Sequence, residues 1–230
     1  MSVNPDRPPE ISPEELAEQV ALYAPFTQAV RELVDATIRT TVDADTVRAA
    51  QAEVEAITAR LREQQIEGSI GAHFGHGRAR QPWGNTVVGV RNPVAPPVQA
   101  VREGDREGEV RAAVVLGAAY EGPPGLVHGG VSALLLDQML GNAAAAARKP
   151  GMTAYLNTSY QRPTPLGPLR LEAWVERSEG PKTWARGRII GPEGTTVEAE
   201  GLFVLPRWAR DLLAQRSATD APPSMFGEQG

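Results

Sequence analysis

The chain has 230 residues, of which 41% are hydrophobic and 22% charged, a balance that fits a packed core in one ordinary domain plus an extension, or in two small domains. With zero cysteines there is no disulfide framework, no thiol nucleophile and no cysteine metal site, and a net charge of -5 argues against bulk binding of nucleic acid. No apolar run reaches the length of a membrane span and residues 1–10 lack the basic and apolar regions of a secretion signal, so the expectation is a cytoplasmic protein.

Residues 1–11 are Pro-rich and polar and read as disordered. Ser12, Pro13 and Glu15 then make a helix start, with a capping hydroxyl, a proline at the first helical position and a glutamate able to reach back. Leu16, Val20 and Tyr23 follow at helical spacing. The pattern resumes with Val30, Leu33, Val34 and Ile38 after Pro25, which is expected to kink or divide the helix. Asp43 and Asp45 can start another helix, in which Val47, Ala50, Val54, Ile57 and Leu61 recur at spacings of three and four. Residues 12–66 thus read as a helical extension. Its apolar stripe is expected to pack on its own protein, with a coiled-coil or partner-binding surface as the alternative.

Residues 67–85, rich in Gly, Arg and His, read as a linker or long surface loop. His73 and His76 lie three apart, as metal ligands sometimes do, but no further ligand cluster accompanies them and no metal site is expected. From Thr86 the pattern changes to strands, at 86–90, 98–102 and 109–116. After an apolar helix come four more, at 152–161, 169–178, 183–190 and 195–205. In the second of these Leu169, Leu171, Ala173 and Val175 alternate with Arg170, Glu172, Trp174 and Glu176, so one face is buried and the other wet or paired. Turns at 179–181 and 192–194 make these strands antiparallel neighbours. Residues 86–207 are therefore read as one α+β domain, with a helix packed on a strongly curved sheet, and 208–230 as a tail that holds a short helix at 208–213. Because the central helix is apolar nearly all round, the sheet must wrap it or a second subunit must help.

The stretch at 120–147 concentrates the chemistry. It runs from a Gly/Pro loop through His128, Gly129 and Gly130 into that helix. A helix starting at the glycines presents its first amides outward, where they attract negative charge, including that which develops on a carbonyl oxygen during acyl transfer. Asp137 is the only charge between His128 and Arg148, on a face shared with Gly130, Ala133, Leu134, Leu140, Gly141 and Ala144. Small neighbours leave space beside the carboxylate for water or substrate, although a structural pairing is the competing account. On strand alternation Thr153, Tyr155, Asn157, Ser159 and Gln161 share one face, where they are candidates to line the same pocket; for Asn157 and Ser159 solvent exposure is the favoured alternative.

The segments G-L-V-H-G-G-V-S-A-L-L-L-D and G-M-T-A-Y-L-N-T-S-Y-Q-R-P-T-P-L-G closely resemble hotdog-fold acyl-CoA thioesterases of the PaaI type, and are especially similar to the group containing the carboxyl-terminal modulator protein. The resemblance covers residues 92–205 and nothing comparable covers the helical first third. It implies a hotdog fold, a curved antiparallel sheet wrapped round a central helix, assembled as a homodimer or dimer of dimers with active sites at the subunit interface. It also implies that Asp137 is catalytic, that Thr153 positions water or the carboxylate, that Gly129 and Gly130 place a backbone N–H against the thioester oxygen, and that His128 organises the loop more than it transfers protons.

The expected reaction is hydrolysis of an acyl-CoA thioester, with Asp137 as general base or nucleophile and the Gly130 N–H as oxyanion donor, and with no cofactor. For the coenzyme phosphates Arg162, Arg170, Lys182 and Arg186 are candidates, Arg162 the best of them because it stands at a strand end beside Pro163. The alternatives are a non-catalytic acyl-CoA-binding scaffold and a hotdog dehydratase of 3-hydroxyacyl thioesters.

Overall fold

The structure, a computed structural model, describes residues 12–67, 73–74, 80–207 and 210. They fall into two compact units, one of the described residues within 1–99 together with 114–128 and 165–168, the other of 100–113, 129–164 and the described residues from 169 on. The expected short helix at 208–213 lies largely outside the described residues.

The first unit opens with α1 (Pro13–Arg39), started by the capping box that the sequence predicts. The Glu15 N–H donates to Ser12 Oγ at 3.1 Å and the Ser12 N–H to Glu15 Oε2 at 2.8 Å. Of the kink or division expected at Pro25, the division does not occur: α1 runs through the proline as one helix. The proline removes one backbone bond, and anchors on both sides of it offset that local cost. Before it, the Tyr23 ring meets Trp83 edge-on at 6.4 Å between centroids and lies under the Arg91 guanidinium at 3.7 Å. After it, Thr27 is buried, and Arg31 donates to the carbonyls of Ala95 at 2.9 Å and Asn92 at 3.0 Å.

Helix α2 (Ala44–Arg62) starts where Asp43 predicts, its carboxylate accepting from the N–H groups of Asp45 and Thr46 at 2.9 Å each. The stripe of α2 is expected to pack on its own protein, but among the described residues nothing covers it and no residue of α2 is buried. Within 67–85 the described residues include a minimal antiparallel pair, β1 (His73–Phe74) with β2 (Arg80–Gln81).

Residues 86–90 are turns and not the expected strand. The cause is Asn85, whose side-chain oxygen accepts from the Val87 N–H at 2.7 Å and the Val88 N–H at 2.9 Å and so offers the backbone an alternative to a sheet ladder. The strand expected at 98–102 shrinks to β3 (Val101–Arg102), because the Val98 N–H goes to the Val87 carbonyl at 3.1 Å. Then come β4 (Val110–Leu116), a single 3-10 turn (Ala118–Tyr120), α3 (Gly129–Ala146), β5 (Met152–Tyr160), β6 (Gly167–Glu179), β7 (Lys182–Gly191) and β8 (Gly194–Val204).

The sheet order is β3-β4-β6-β7-β8-β5, which leaves β5 on an edge. Every pairing with a defined register is antiparallel. Helix α3 buries Leu135, Leu136, Met139, Leu140, Ala143 and Ala144, each large side chain contributing roughly 1.5–3 kcal/mol. The helix sits close because β7 and β8 carry glycine beneath Leu140. A Cβ at Gly187 would stand 2.7 Å from Leu140 Cδ1, and one at Gly201 3.1 Å from Cδ2.

One ion cluster ties the start of β4 together. The Glu109 carboxylate is buried and accepts from Arg106 at 2.9 and 3.0 Å, from the Arg106 backbone N–H at 3.1 Å and from Arg111 at 3.0 Å. Gly104, at φ 120, leaves room for it, since a side chain there would meet the carboxylate. Hydrogen bonds from Arg106, foremost, hold the Glu109 carboxyl down to about 2 from an ordinary 4.5. A depressed carboxyl stabilises the fold fully above about pH 4.5 and loses that effect as the pH falls toward 2. Glu109→Gln is therefore expected to unfold at lower urea than the parent at pH 6, by no more than about 3 kcal/mol, with the gap closing between pH 5 and pH 2. A gap independent of pH in urea titrations would show that the charge is not what the cluster uses.

Candidate active site

The loop that leads into α3 belongs to the first unit and is built from backbone bonds. The Gly122 N–H donates to the Leu126 carbonyl at 2.9 Å and the Gly125 N–H to Glu121 Oε1 at 2.6 Å. The His128 N–H donates to the Tyr120 carbonyl at 2.9 Å, and the Tyr120 hydroxyl donates to the Val94 carbonyl at 2.9 Å. Burial pushes the Tyr120 phenol above its ordinary value, so it stays a neutral donor. Since Arg31 grips the carbonyls on either side of Val94, a chain of bonds runs from α1 to His128. His128 itself is exposed and is covalently the residue before the helix.

In the second unit Gly129 and Gly130 form the first turn of α3, where backbone amides point out of the helix N-terminus. Tyr160, which sequence reasoning did not single out, fixes that turn. Its hydroxyl donates to the Gly129 carbonyl at 2.9 Å, and its ring lies against Gly129 at 3.4 Å from where a Cβ would be. Only an aromatic residue on the β5 face opposite the supposed pocket residues could have hinted at it.

Two turns along α3 stands Asp137, half-buried, with Oδ1 accepting from the Thr153 hydroxyl at 2.9 Å. The structure thus brings Thr153 of β5 to Asp137, which stands on the helix whose first turn holds Gly129 and Gly130. Asn157 is placed elsewhere. Thr153 pairs with Phe203 and Tyr155 with Leu202, so Ala154 is an extra residue that reverses the alternation beyond it. The expected common face of Thr153, Tyr155 and Asn157 is therefore corrected. Asn157 sits across from Glu200 and donates to its carboxylate at 3.2 Å, beside Arg186, which pairs with Glu176 at 3.0 Å. Arg162 donates to the Glu193 carbonyl at 2.6 Å on the rim of an open hollow of about 600 Å³ lined also by Gln161, Thr195 and Glu198. Among the described residues no group of three or more His, Asp or Glu is placed to hold a metal ion.

An apolar helix gripped by a six-stranded antiparallel sheet, with a glycine-led first turn and one carboxylate on its open face, defines a hotdog protein. The thioesterase superfamily model matches residues 124–197. A thioesterase superfamily protein of known crystal structure is 41% identical, with a TM-score of 0.68, over 79% of this chain and 94% of its own. The chain belongs to the thioesterase superfamily. It is also 35% identical over 91 residues to acyl-coenzyme A thioesterase THEM4 of Xenopus laevis and 34% identical over 91 residues to that of Bos taurus. These matches take in 38% of this chain in both cases, and 41% and 37% of those proteins, so the chain spans about two fifths of the curated relatives it matches.

Tyr160→Phe, which deletes one hydroxyl and keeps the ring, is expected to lower the stability by about 0.5–1 kcal/mol, read as a lower unfolding midpoint in urea. An unchanged midpoint would mean that the ring alone holds the first turn of α3.

Proposed function

We propose that the chain hydrolyses acyl-coenzyme A thioesters to the free acid and coenzyme A. The observation that carries this reading is the 2.9 Å bond from Thr153 to Asp137 on the helix that begins with the glycine turn. Thioester hydrolysis needs donors for the developing oxyanion and a group that delivers oxygen to the carbonyl carbon. The Gly130 N–H, in the first turn of α3, is the donor. Asp137 acts in one of two ways. As general base it takes a proton from water while the hydroxide adds to the carbonyl; the C–S bond then breaks and the thiolate leaves to be protonated. As nucleophile it attacks the carbonyl carbon, the C–S bond breaks and the thiolate leaves to be protonated, and water then cleaves the resulting acyl anhydride to free acid and the Asp137 carboxylate. In both, Thr153 holds one carboxylate oxygen and so orients the other.

The same geometry supports a homodimer. Strand β5 lies on the sheet edge, with Met152, Thr153, Tyr155 and Tyr160 exposed, and Leu134 is exposed on the open face of α3. An edge of this length with apolar side chains is a template for pairing. A second copy laid along it would also cover Asp137 and exclude water from the site. Among the described residues no helix is long and apolar enough to cross a membrane.

Thiol release from short, medium, long and aromatic acyl-coenzyme A substrates, followed with a thiol-reactive dye, tests the assignment. The chain has no cysteine and gives no background. Asp137→Asn is expected to lose about 10²–10⁴-fold in turnover while keeping the fold, and Thr153→Ala to lose less. Full activity in Asp137→Asn would overturn the reading. Binding without hydrolysis by the parent would point to the scaffold alternative, and water loss from a 3-hydroxyacyl substrate to the dehydratase.

A further inference from the structure

Helix α2 is 19 residues long and buries none of them, yet its sequence is not that of a solvated helix. Val47, Ala50, Val54, Ile57 and Leu61 fall at alternating spacings of three and four, which are the a and d positions of a heptad repeat. Val47 is 48% exposed, Val54 39%, Ile57 42% and Leu61 52%. An isolated helix of this length is marginal in water, so a stripe this regular calls for a cover, and none of the described residues supplies one.

The charges flanking the stripe state what the cover is. At the g positions stand Thr46, Glu53 and Arg60, and at the e positions Gln51 and Thr58. The other charges within the helix, Asp45, Arg48, Glu55 and Arg62, fall at b and f, away from the stripe, and Arg48 with Asp45 makes a 2.6 Å pair of its own. Glu53 and Arg60 have no ion-pair partner among the described residues.

In a parallel pair of identical helices each g residue faces an e residue of the next heptad, which here matches Thr46 with Gln51 and Glu53 with Thr58 and pairs no charges. In an antiparallel pair, g faces g and a faces d. Setting Val54 opposite Ile57 of the partner subunit then puts Ala50 opposite Leu61 of the partner subunit, a small residue against a large one. The same register sets Glu53 against Arg60 of the partner subunit, twice by symmetry. Packing and charge thus agree on a single register.

We infer that α2 is a self-association helix, which pairs antiparallel with α2 of a second copy of this chain through Ala50, Val54, Ile57 and Leu61, with Glu53 and Arg60 fixing the direction. The contact is short, so it acts alongside another interface, where tethering raises its effective concentration.

The absence of cysteine makes the register testable by disulfide formation in the full chain. Ala50 and Leu61 are about 16 Å apart along one helix, too far to bridge within a chain. The double variant Ala50→Cys/Leu61→Cys is expected to give a covalent dimer under mild oxidation, and each single variant is not. Adding Glu53→Arg to the double variant is expected to cut the cross-linking yield roughly tenfold, and adding Arg60→Glu as well to restore it. Cross-linking by the single variants would show a parallel pair or random collision and overturn the proposal. So would the absence of any cross-link, which would leave the stripe to a different protein or to another part of this chain.

Discussion

The hydrogen bond between Thr153 and Asp137 exists because β5 carries one residue more than β8 between Thr153 and Tyr155. A strand turns successive side chains to opposite faces, so a single inserted residue exchanges the faces of everything beyond it. With Ala154 as that residue, Thr153 keeps the face opposite Phe203, which is buried and packs near Gly141 of α3. Further along, Leu156, Thr158 and Tyr160 share that face, while Tyr155, Asn157 and Ser159 turn away. Both contacts from β5 to α3, Thr153 to Asp137 and Tyr160 to Gly129, follow from it. In an unbroken strand the two residues, seven apart, would point to opposite faces. The bulge is thus what lets one strand hold α3 at its carboxylate and at its first turn together.

The helix offers these groups because its sides are unequal in the structure though nearly equal in the sequence. Leu135, Leu136, Met139 and Leu140 go to the sheet, and glycines at 187 and 201 let Leu140 sink between the strands. That draws one side of α3 down and leaves Gly130, Leu134 and Asp137 on the other. Asp137 therefore escapes the full cost of burying a carboxylate, and its small neighbours Ala133 and Gly141 keep space beside it.

How much of this was legible follows the range of the forces involved. Features set by residues two to four apart are legible: the capping box at Ser12, the start at Asp43 and the paired faces of β6. Asp137 stands out as a charge on an apolar helix, whereas Thr153 enters through the family resemblance, and the structure holds the two in hydrogen-bond contact. Residues 86–90 misled because β-branched composition was weighed without the side chain of Asn85, which takes two amides for itself. That Pro25 does not divide α1 is not legible locally, since the helix is anchored there by Trp83 and residues 91–95, far along the chain. Asn157 is exposed, as the favoured alternative has it; its separation from Thr153, and the turn of Tyr160 toward α3, are not legible because no residue type announces a bulge.

The helical extension read as one segment divides into two on physical grounds. Helix α1 is committed to its own unit, through a buried Thr27, an Arg31 whose guanidinium is desolvated and holds two carbonyls, and the ring of Tyr23. Those bonds reach Tyr120 and, through its carbonyl, the backbone of His128, so α1 braces the turn at His128. Helix α2 has no such commitment, and its apolar positions keep heptad spacing where α1 has a broad, irregular apolar surface. A helix that only needed to stay soluble would carry polar residues at 54, 57 and 61. Keeping Val, Ile and Leu there costs solubility in the isolated chain, and a seam closed by a second copy of the same helix removes that cost.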